Sequence, residues 1–249
     1  MRRRKFLSGS LAFISLPIGH AQANTPIAVS GHSFRIGSVE YQLADIIAPS
    51  IYAFENRPVA FVDEAKTQLQ LKITSQRFQF DDVLPPTRWG VRIVRSRQGD
   101  VIGALEEQLI ADGAARVAPQ TDDLTLIDHL LAIENTARRN KTGLWSLNDY
   151  QVFESDDALG AAGNYHLITG TVRKTRQAGS RFYLNFGEDY RTDFTASTVA
   201  PLQRKWLADG LDLSTLVGAQ LRIRGFVNTI NGPSVDLTHS RQIEVLKIR

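Results

Sequence analysis

Alternating apolar and polar positions divide the chain into two β-rich segments. In the first segment, strict alternation marks half-buried strands, and apolar spacings of three and four mark helices that bury one face. The predicted strands cover residues 27–29, 34–36, 39–43, 77–80 and 91–94, and the predicted helices cover residues 61–72, 104–111 and 124–139. The first segment is therefore expected to be a β-domain that carries three helices.

The second segment has the pattern of a small barrel. Strand-like runs at residues 167–172, 181–186, 193–196, 221–227, 234–237 and 242–248 surround one short helical run at residues 201–208. Many short strands with Gly and Pro turns are typical of closed antiparallel barrels, and this arrangement suggests the OB type. Residues 149–163 have no clear period and are predicted to be a linker.

The first 23 residues have the anatomy of an export signal. Arg2 to Lys5 form a basic start, residues 6–18 are mostly apolar, and Ala21-Gln22-Ala23 is an A-x-A cleavage site. The paired arginines before Phe6 and Leu7 favour a twin-arginine signal, and a Sec signal is the alternative. We expect cleavage after Ala23 and a periplasmic or secreted protein with no membrane span.

Removal of this signal changes the charge balance. The whole chain has 29 basic and 26 acidic residues, and residues 1–23 hold four basic and no acidic ones, so the mature chain has 25 against 26. Residues 24–163 hold 13 basic and 19 acidic residues, whereas residues 164–249 hold 12 and 7. Any nucleic-acid partner is therefore expected on the second segment. The chain has no cysteine, which excludes disulfides, thiol catalysis and cysteine-bound metals.

Two motifs in the first segment resemble the staphylococcal nuclease (thermonuclease) family. Residues 107–117 are similar to the family pattern L-x-x-x-G-x-A-x-V, and residues 133–146 to E-x-x-A-r-x-x-k-x-G-l-W. The resemblance covers residues 27–146 and implies an OB-type barrel with three helices. The predicted fold class is mainly β with α (α+β): a nuclease-like barrel at residues 24–148, a linker at 149–163 and a second small OB-like barrel at 164–249.

The resemblance fails where the family carries its chemistry. Ser30 and His32 stand where the family's D-G-D-T turn has two calcium-binding Asp, and Gln42 stands at the phosphate-binding Arg. Ile47 and Ser50 stand at the metal-binding Asp and the proposed base Glu of D-x-P-E.

The second catalytic Arg of the family is also replaced. It follows Y-G in the family, whereas Val91 follows Trp89-Gly90 here and Arg92 comes one position later. We call the six changed positions the degenerate cleft: Ser30, His32, Gln42, Ile47, Ser50 and Val91.

These residues cannot perform the family reaction. Calcium needs several hard oxygen ligands, and phosphodiester cleavage needs cations on the developing charge. We therefore predict no catalytic residues, no metal and no cofactor. His32 and Asp45 could together bind a transition metal, but two ligands are few, and a hydrogen-bonded turn histidine is the favoured interpretation.

Basic and aromatic residues alternate near the start of the second barrel. The candidate nucleic-acid-binding residues are Arg173, Lys174, Arg181, Tyr183 and Tyr190. Such residues could follow a phosphate backbone and stack bases. The alternative, which strand alternation favours, is that Phe182 and Phe186 fill the barrel core while the arginines lie in a solvated turn.

The leading functional hypothesis is an exported, non-catalytic binding module with single-stranded nucleic acid or another protein as its partner. The alternatives are a divergent phosphodiesterase or nuclease that uses other residues, and an assembly factor that recognises protein at the degenerate cleft. The side chains around that cleft decide between the alternatives, because charged groups favour catalysis and apolar groups favour a partner.

Overall fold

The structure is a computed structural model, and it describes residues 25–50 and 60–248. The export signal predicted at residues 1–23 lies outside the described residues. None of the helices within the described ranges has the length and apolar character needed to cross a bilayer.

The first domain is built on a twisted sheet with a short two-stranded addition. Its strands are β1 (Ile27–Ala28), β2 (Ser33–Ile36), β3 (Val39–Leu43), β4 (Ile46–Ile47), β5 (Gln79–Leu84), β6 (Arg92–Gln98), β7 (Val101–Ile102) and β8 (Arg116–Val117). The main sheet has the order β1-β2-β3-β6-β5, with β7 also on β6, and β4 pairs with β8. Strands β3 and β6 pair in parallel, so that Gln42 lies beside Ile93.

Three helices pack on this sheet, as predicted. They are α1 (Val62–Ser75), α2 (Ala104–Ala111) and α3 (Leu124–Arg139). Helix α3 begins at Asp123, whose carboxylate accepts a hydrogen bond from the Leu126 amide, and it ends with Arg138 and Arg139 at its negative pole. Helix α2 ends at Ala111 and is followed by Gly113, which has φ 63° and lies against the Thr142 carbonyl.

The second domain is built on one large sheet with a single α-helix among its described residues. Its elements are β9 (Phe153–Glu154), β10 (Tyr165–Thr171), β11 (Lys174–Ala178), β12 (Arg181–Asn185), β13 (Thr195–Val199), α4 (Ala200–Ala208), β14 (Gln220–Asn228), β15 (Ser234–Asp236) and β16 (Ile243–Lys247). The order is β11-β12-β13-β15-β14-β10, with β9 on β10 and β16 on β14. Only Val172 and Arg173 separate β10 from β11, which stand near opposite ends of this order. Closure into an OB-like barrel stays a prediction.

The segment predicted as a linker packs on the second domain. Strand β9 pairs in parallel with β10, and a 3₁₀ turn at Ser155–Ala161 follows it. Ala158 and Ala161 are fully buried in the second core. Residues 149–163 therefore join the two domains and also form part of the second one.

The two domains meet along a buried polar surface, which we call the seam. Arg224 of β14 and Glu134 of α3 are both fully buried, and Arg224 Nη1 lies 2.8 Å from Glu134 Oε2 as a charge contact without hydrogen-bond geometry. Arg224 also donates to the Val117 carbonyl, at 3.1 Å. Tyr165 donates its hydroxyl hydrogen to the same carbonyl, at 2.9 Å. These contacts fix the second barrel against β8 and α3 of the first domain.

Candidate functional site

The turn at residues 30–33, which the resemblance predicts to replace the family's metal-binding turn, is held by its own hydrogen bonds. The Ser30 hydroxyl lies 2.9 Å from the Ser33 hydroxyl and accepts from the Ser33 amide, at 3.1 Å. A Cβ on Gly31 would lie 2.5 Å from the Ala48 Cβ and 2.7 Å from the Ala65 Cβ, so the turn rests directly on helix α1. This packing places His32 directly before β2, where its carbonyl accepts from the Leu43 amide at 2.9 Å.

A cavity of about 450 Å³ lies between the two domains, next to this turn. We call it the seam cavity. Residues of the first domain form one wall: His32, Gln42, Ile46, Ile47, Ala118, Pro119 and Gln120. Residues of the second domain form the other wall: Tyr165, Gly225, Phe226, Asn228, Asp236, Thr238 and Gln242. Three of the six degenerate-cleft residues, His32, Gln42 and Ile47, thus lie on one side of a composite cavity that the second domain completes.

The lining of the seam cavity is almost uncharged. Among the described residues, it contains no lysine or arginine, and Asp236 is its one carboxylate. Asp236 accepts a close hydrogen bond from Arg181, which also donates to the Ser197 hydroxyl at 2.7 Å. The cavity therefore presents amide, hydroxyl, imidazole and apolar groups, and its one carboxylate is neutralised.

His32 is held in its neutral form. Burial lowers the pKa of His32 to about 4, so the ring carries no charge at neutral pH. Its Nδ1 accepts from the Ala48 amide, at 3.3 Å, which leaves the proton of the neutral ring on Nε2. This geometry is that of a hydrogen-bonded turn histidine, and it makes the ring a donor.

Asp45 is not available as a second metal ligand. Its carboxylate is fully buried and accepts from Arg95 at 2.6 Å, from the Thr121 hydroxyl at 2.7 Å and from the Gln120 amide at 2.7 Å. Within the described part of the chain, no group of three or more His, Asp or Glu side chains could hold a metal ion. Asp45 instead fixes the backbone of residues 120–121, which forms part of the cavity wall.

Two aspartates of β5 and two arginines of β6 pair at the surface of the sheet. Arg92 makes two hydrogen bonds to Asp82, and Arg97 donates to Asp81 at 3.1 Å. Arg92 also lies over the Tyr41 ring, 5.1 Å from its centroid. These groups do not surround a common ion-sized hollow with Asp45, because Asp45 is buried whereas Asp81 and Asp82 are exposed.

The degenerate-cleft positions do not all face the cavity. His32, Gln42 and Ile47 line it, whereas Ser30 lies behind them and stabilises the turn. Val91 belongs to a turn in which the Thr87 amide donates to the Val91 carbonyl, and it does not line the cavity. Ser50 is partly buried next to the buried Pro49 and does not line the cavity either.

The basic and aromatic cluster of the second domain is divided between core and surface. Phe182 and Phe186 are buried in the barrel core, as strand alternation favours. Lys174 and Arg176 are exposed on β11, and Arg176 lies opposite Tyr183 of β12. We call Arg173, Lys174 and Arg176 the basic strip.

The other two candidate residues lie beside the basic strip. Arg181 is tied to Asp236, as described above. Tyr190 lies in the turn between β12 and β13, is 52% exposed and carries Arg191 over its ring at 5.6 Å. Both side chains lie at the surface, but Arg181 is already paired with a carboxylate, whereas the ring of Tyr190 is exposed.

Half of the cavity wall could not be identified from the motifs. Tyr165, Phe226, Asn228 and Asp236 belong to a domain whose position against the first is not visible in any local pattern. The one available signal is alternation along β14, which places Phe226 and Asn228 outward while Val227 points into the core.

Comparison with known proteins identifies one of the two domains. Residues 40–147 match the family model described as staphylococcal nuclease homologue. No curated protein matches this chain. The match covers the sheet from β3 onward, the three helices and both sequence motifs. The domain that contains residues 40–147 therefore belongs to the staphylococcal nuclease homologue family.

Proposed function

We propose that the mature protein is a nuclease-family protein that does not hydrolyse nucleic acid and instead binds single-stranded nucleic acid through its second domain. The observation that carries the first half is the composition of the seam cavity. Three positions at which the family has ligands or an arginine face this cavity as an imidazole, an amide and an isoleucine. With no cation and only a paired carboxylate in the wall, the cavity lacks the groups that calcium binding and phosphoryl-charge stabilisation require.

The binding surface is the outward face of β11 and β12. Residues 164–187 contain four basic residues and no acidic one. Arg181 is paired with Asp236, so the charge available to a ligand comes from the basic strip. Tyr183 lies directly across from Arg176, and an aromatic ring beside cations is the combination that holds bases and phosphates of a single strand.

The alternatives fit the cavity less well. A divergent phosphodiesterase would need its own acid, base or metal ligands around one hollow. The aspartates and arginines of β5 and β6 instead pair with each other at the surface, and Asp45 is bound by Arg95. An assembly factor would need an open cleft, whereas the second barrel occupies one side of it. The remaining space of about 450 Å³ suits a small ligand better than a protein surface.

A salt titration tests the binding proposal. We expect the mature protein to bind a labelled single-stranded oligonucleotide with an affinity that falls as sodium chloride rises. The triple variant Arg173→Gln, Lys174→Gln, Arg176→Gln should reduce the slope of log K against log salt by about two, because roughly 0.7 counterions are released per phosphate contact. Fluorescence anisotropy at several salt concentrations measures both quantities.

A matched triple variant controls for total charge. Lys66→Gln, Arg77→Gln, Arg139→Gln removes the same charge from exposed positions of the first domain and should leave the slope unchanged. An equal loss in this control, or no salt-sensitive binding by the native protein, contradicts the binding proposal. Calcium-dependent cleavage of DNA or RNA that disappears when His32 or Asp45 is changed contradicts the non-hydrolytic assignment.

We also propose that the protein is exported. This proposal rests on the basic start, the apolar run and the A-x-A site of residues 1–23. Sequencing of the mature amino terminus should find Asn24 as the first residue. Retention of the precursor after Arg3→Lys, Arg4→Lys would identify the twin-arginine route, and a precursor that is never processed would contradict export.

A further inference from the structure

The seam cavity contains three side-chain amides that have no hydrogen-bond partner within the described residues. They belong to Gln42 and Gln120 on one wall and to Asn228 on the other. An Asn or Gln amide presents a donor and an acceptor side by side, and such a pair matches the edge of a nucleobase in two hydrogen bonds. The two walls therefore offer complementary groups from opposite sides of one space.

The apolar part of the cavity suits a flat ring. Phe226 is 49% exposed, and its ring meets the edge of Tyr165 at 82° with the centroids 5.5 Å apart. Ile47 and Pro119 lie in the wall contributed by the first domain. Unpaired bases are commonly held by stacking on aromatic rings between apolar side chains.

The charge of the cavity determines which part of a nucleotide it can accept. A phosphate would enter a space that has no lysine or arginine in its described wall, and the nearby Arg181 is already paired with the carboxylate of Asp236. An uncharged base or nucleoside meets no such penalty, and the neutral His32 ring adds a donor at Nε2. The volume of about 450 Å³ is within the range of small-molecule sites.

An unbroken row of outward side chains links the cavity to the basic strip. Asp236 on the cavity wall lies opposite Ser197, Ser197 lies opposite Tyr183, and Tyr183 lies opposite Arg176. Opposed residues of paired strands share one face of the sheet. Three strand spacings amount to about 14 Å, which a few nucleotides can span.

We propose that the seam cavity is a nucleobase site that takes an uncharged, planar base carrying adjacent donor and acceptor groups. The base can come from a free nucleoside or from a strand whose phosphates lie on the basic strip. Binding of a base from a strand rests on the proposed function, whereas binding of a free nucleoside does not. The amides of Gln42, Gln120 and Asn228 bind the edge of the base, and Phe226 contacts its face.

Titration with adenosine and thymidine tests the site without phosphate. We expect binding to the mature protein by calorimetry or ligand-observed NMR at millimolar concentration, with little dependence on salt. Asn228→Ala and Gln120→Ala should each weaken it about three- to tenfold, the loss expected for one hydrogen bond. Gln203→Ala on helix α4 removes an amide outside the cavity, and the triple variant of the basic strip removes only charge, so both should bind as the native protein does.

Oligonucleotides that differ by one base identify the source. If an abasic residue within a short strand weakens binding to the native protein but not to Asn228→Ala, the cavity takes a base of the bound strand. If nucleosides bind and the abasic residue has no effect, the ligand is a free nucleoside.

The proposal is overturned if neither adenosine nor thymidine binds and an abasic residue leaves strand binding unchanged. It is also overturned if a neutral disaccharide binds as tightly as the nucleosides do. Salt-dependent strand binding that remains in that case keeps the proposed function intact. If nucleosides bind but salt-dependent strand binding is absent, the result contradicts the proposed function and leaves the nucleobase site standing.

Discussion

The most informative perturbation of this molecule is removal of the guanidinium of Arg224. Methionine in its place keeps most of the aliphatic volume but leaves the carboxylate of Glu134 fully buried without its cation, which lies 2.8 Å away in the native protein. Glu134 Oε1 would keep its hydrogen bond from the Val117 amide, at 2.7 Å. Loss of one member of a buried pair destabilises a protein by about 3–5 kcal/mol, because the other charge stays out of water.

The carboxylates of Glu134 and Glu244 stabilise the charged form of Arg224. Burial alone would lower the pKa of Arg224, but the charges of Glu134 and Glu244 raise it above the ordinary value. Arg224→Met should therefore reduce the free energy of unfolding at pH 7 by the full amount given above. Urea unfolding followed by tryptophan fluorescence is suitable, because Trp145 is buried in the cluster that contains Leu167 of the second domain.

A surface pair provides the control. Lys205 and Asp122 also join the two domains, at 2.9 Å, but their side chains are 54% and 85% exposed. Lys205→Met should cost less than about 1 kcal/mol. The double variant Arg224→Met, Glu134→Gln should recover most of the loss, since no buried charge remains unpaired and the amide oxygen can still accept from Val117. If Arg224→Met were no more destabilising than Lys205→Met, the seam would not be a buried ion-pair interface.

Three further variants test other features. Gly31→Ala should destabilise the first domain by about 1–3 kcal/mol in urea unfolding, because the new Cβ meets the Ala48 and Ala65 methyl groups; an unchanged midpoint would show that the turn can move away from α1. Gly113→Ala should cost more than Gly99→Ala, since both glycines have positive φ but only Gly113 lies against backbone; equal losses of roughly 1 kcal/mol would mean that the contact with Thr142 is not constraining. His32 binds its proton less tightly when folded, so it favours unfolding as pH falls from about 6.5 to about 4. His32→Gln should flatten the decline of stability in that window by up to about 1.4 kcal/mol per pH unit, and a parallel decline in both proteins would refute this role.

The local sequence patterns predict most helices and strands of both domains. They do not predict which side chains of α3 are buried, because this depends on contact with the second domain. Apolar spacing predicts a core stripe through Leu126, Leu130, Ile133 and Ala137. The structure buries Leu130 and Ala137, leaves Leu126 and Ile133 partly exposed, and also buries Glu134 completely. Helix α3 packs against two domains at once, and a single amphipathic stripe cannot reveal the second contact.

The same limit applies to the site. The family resemblance predicts His32, Gln42 and Ile47 as changed positions, and the structure places all three in the wall of one cavity. Arg224, at an outward position of β14, has the pattern of a solvated residue yet is fully buried. Which outward face of a barrel is covered depends on docking between distant segments, and alternation describes only one strand at a time.

The seam joins parts of the chain that are made far apart in time. Arg224 reaches the Val117 carbonyl across 107 residues, and His239 reaches the Thr121 carbonyl across 118. When α3 leaves the ribosome during synthesis, Arg224, the cation that neutralises Glu134, has not yet been made. The first domain therefore gains the ion pair of Glu134 only when nearly the whole polypeptide has been synthesised. A chain shortened before residue 164 would lack Arg224, so the buried carboxylate of Glu134 would have no cation from the second domain.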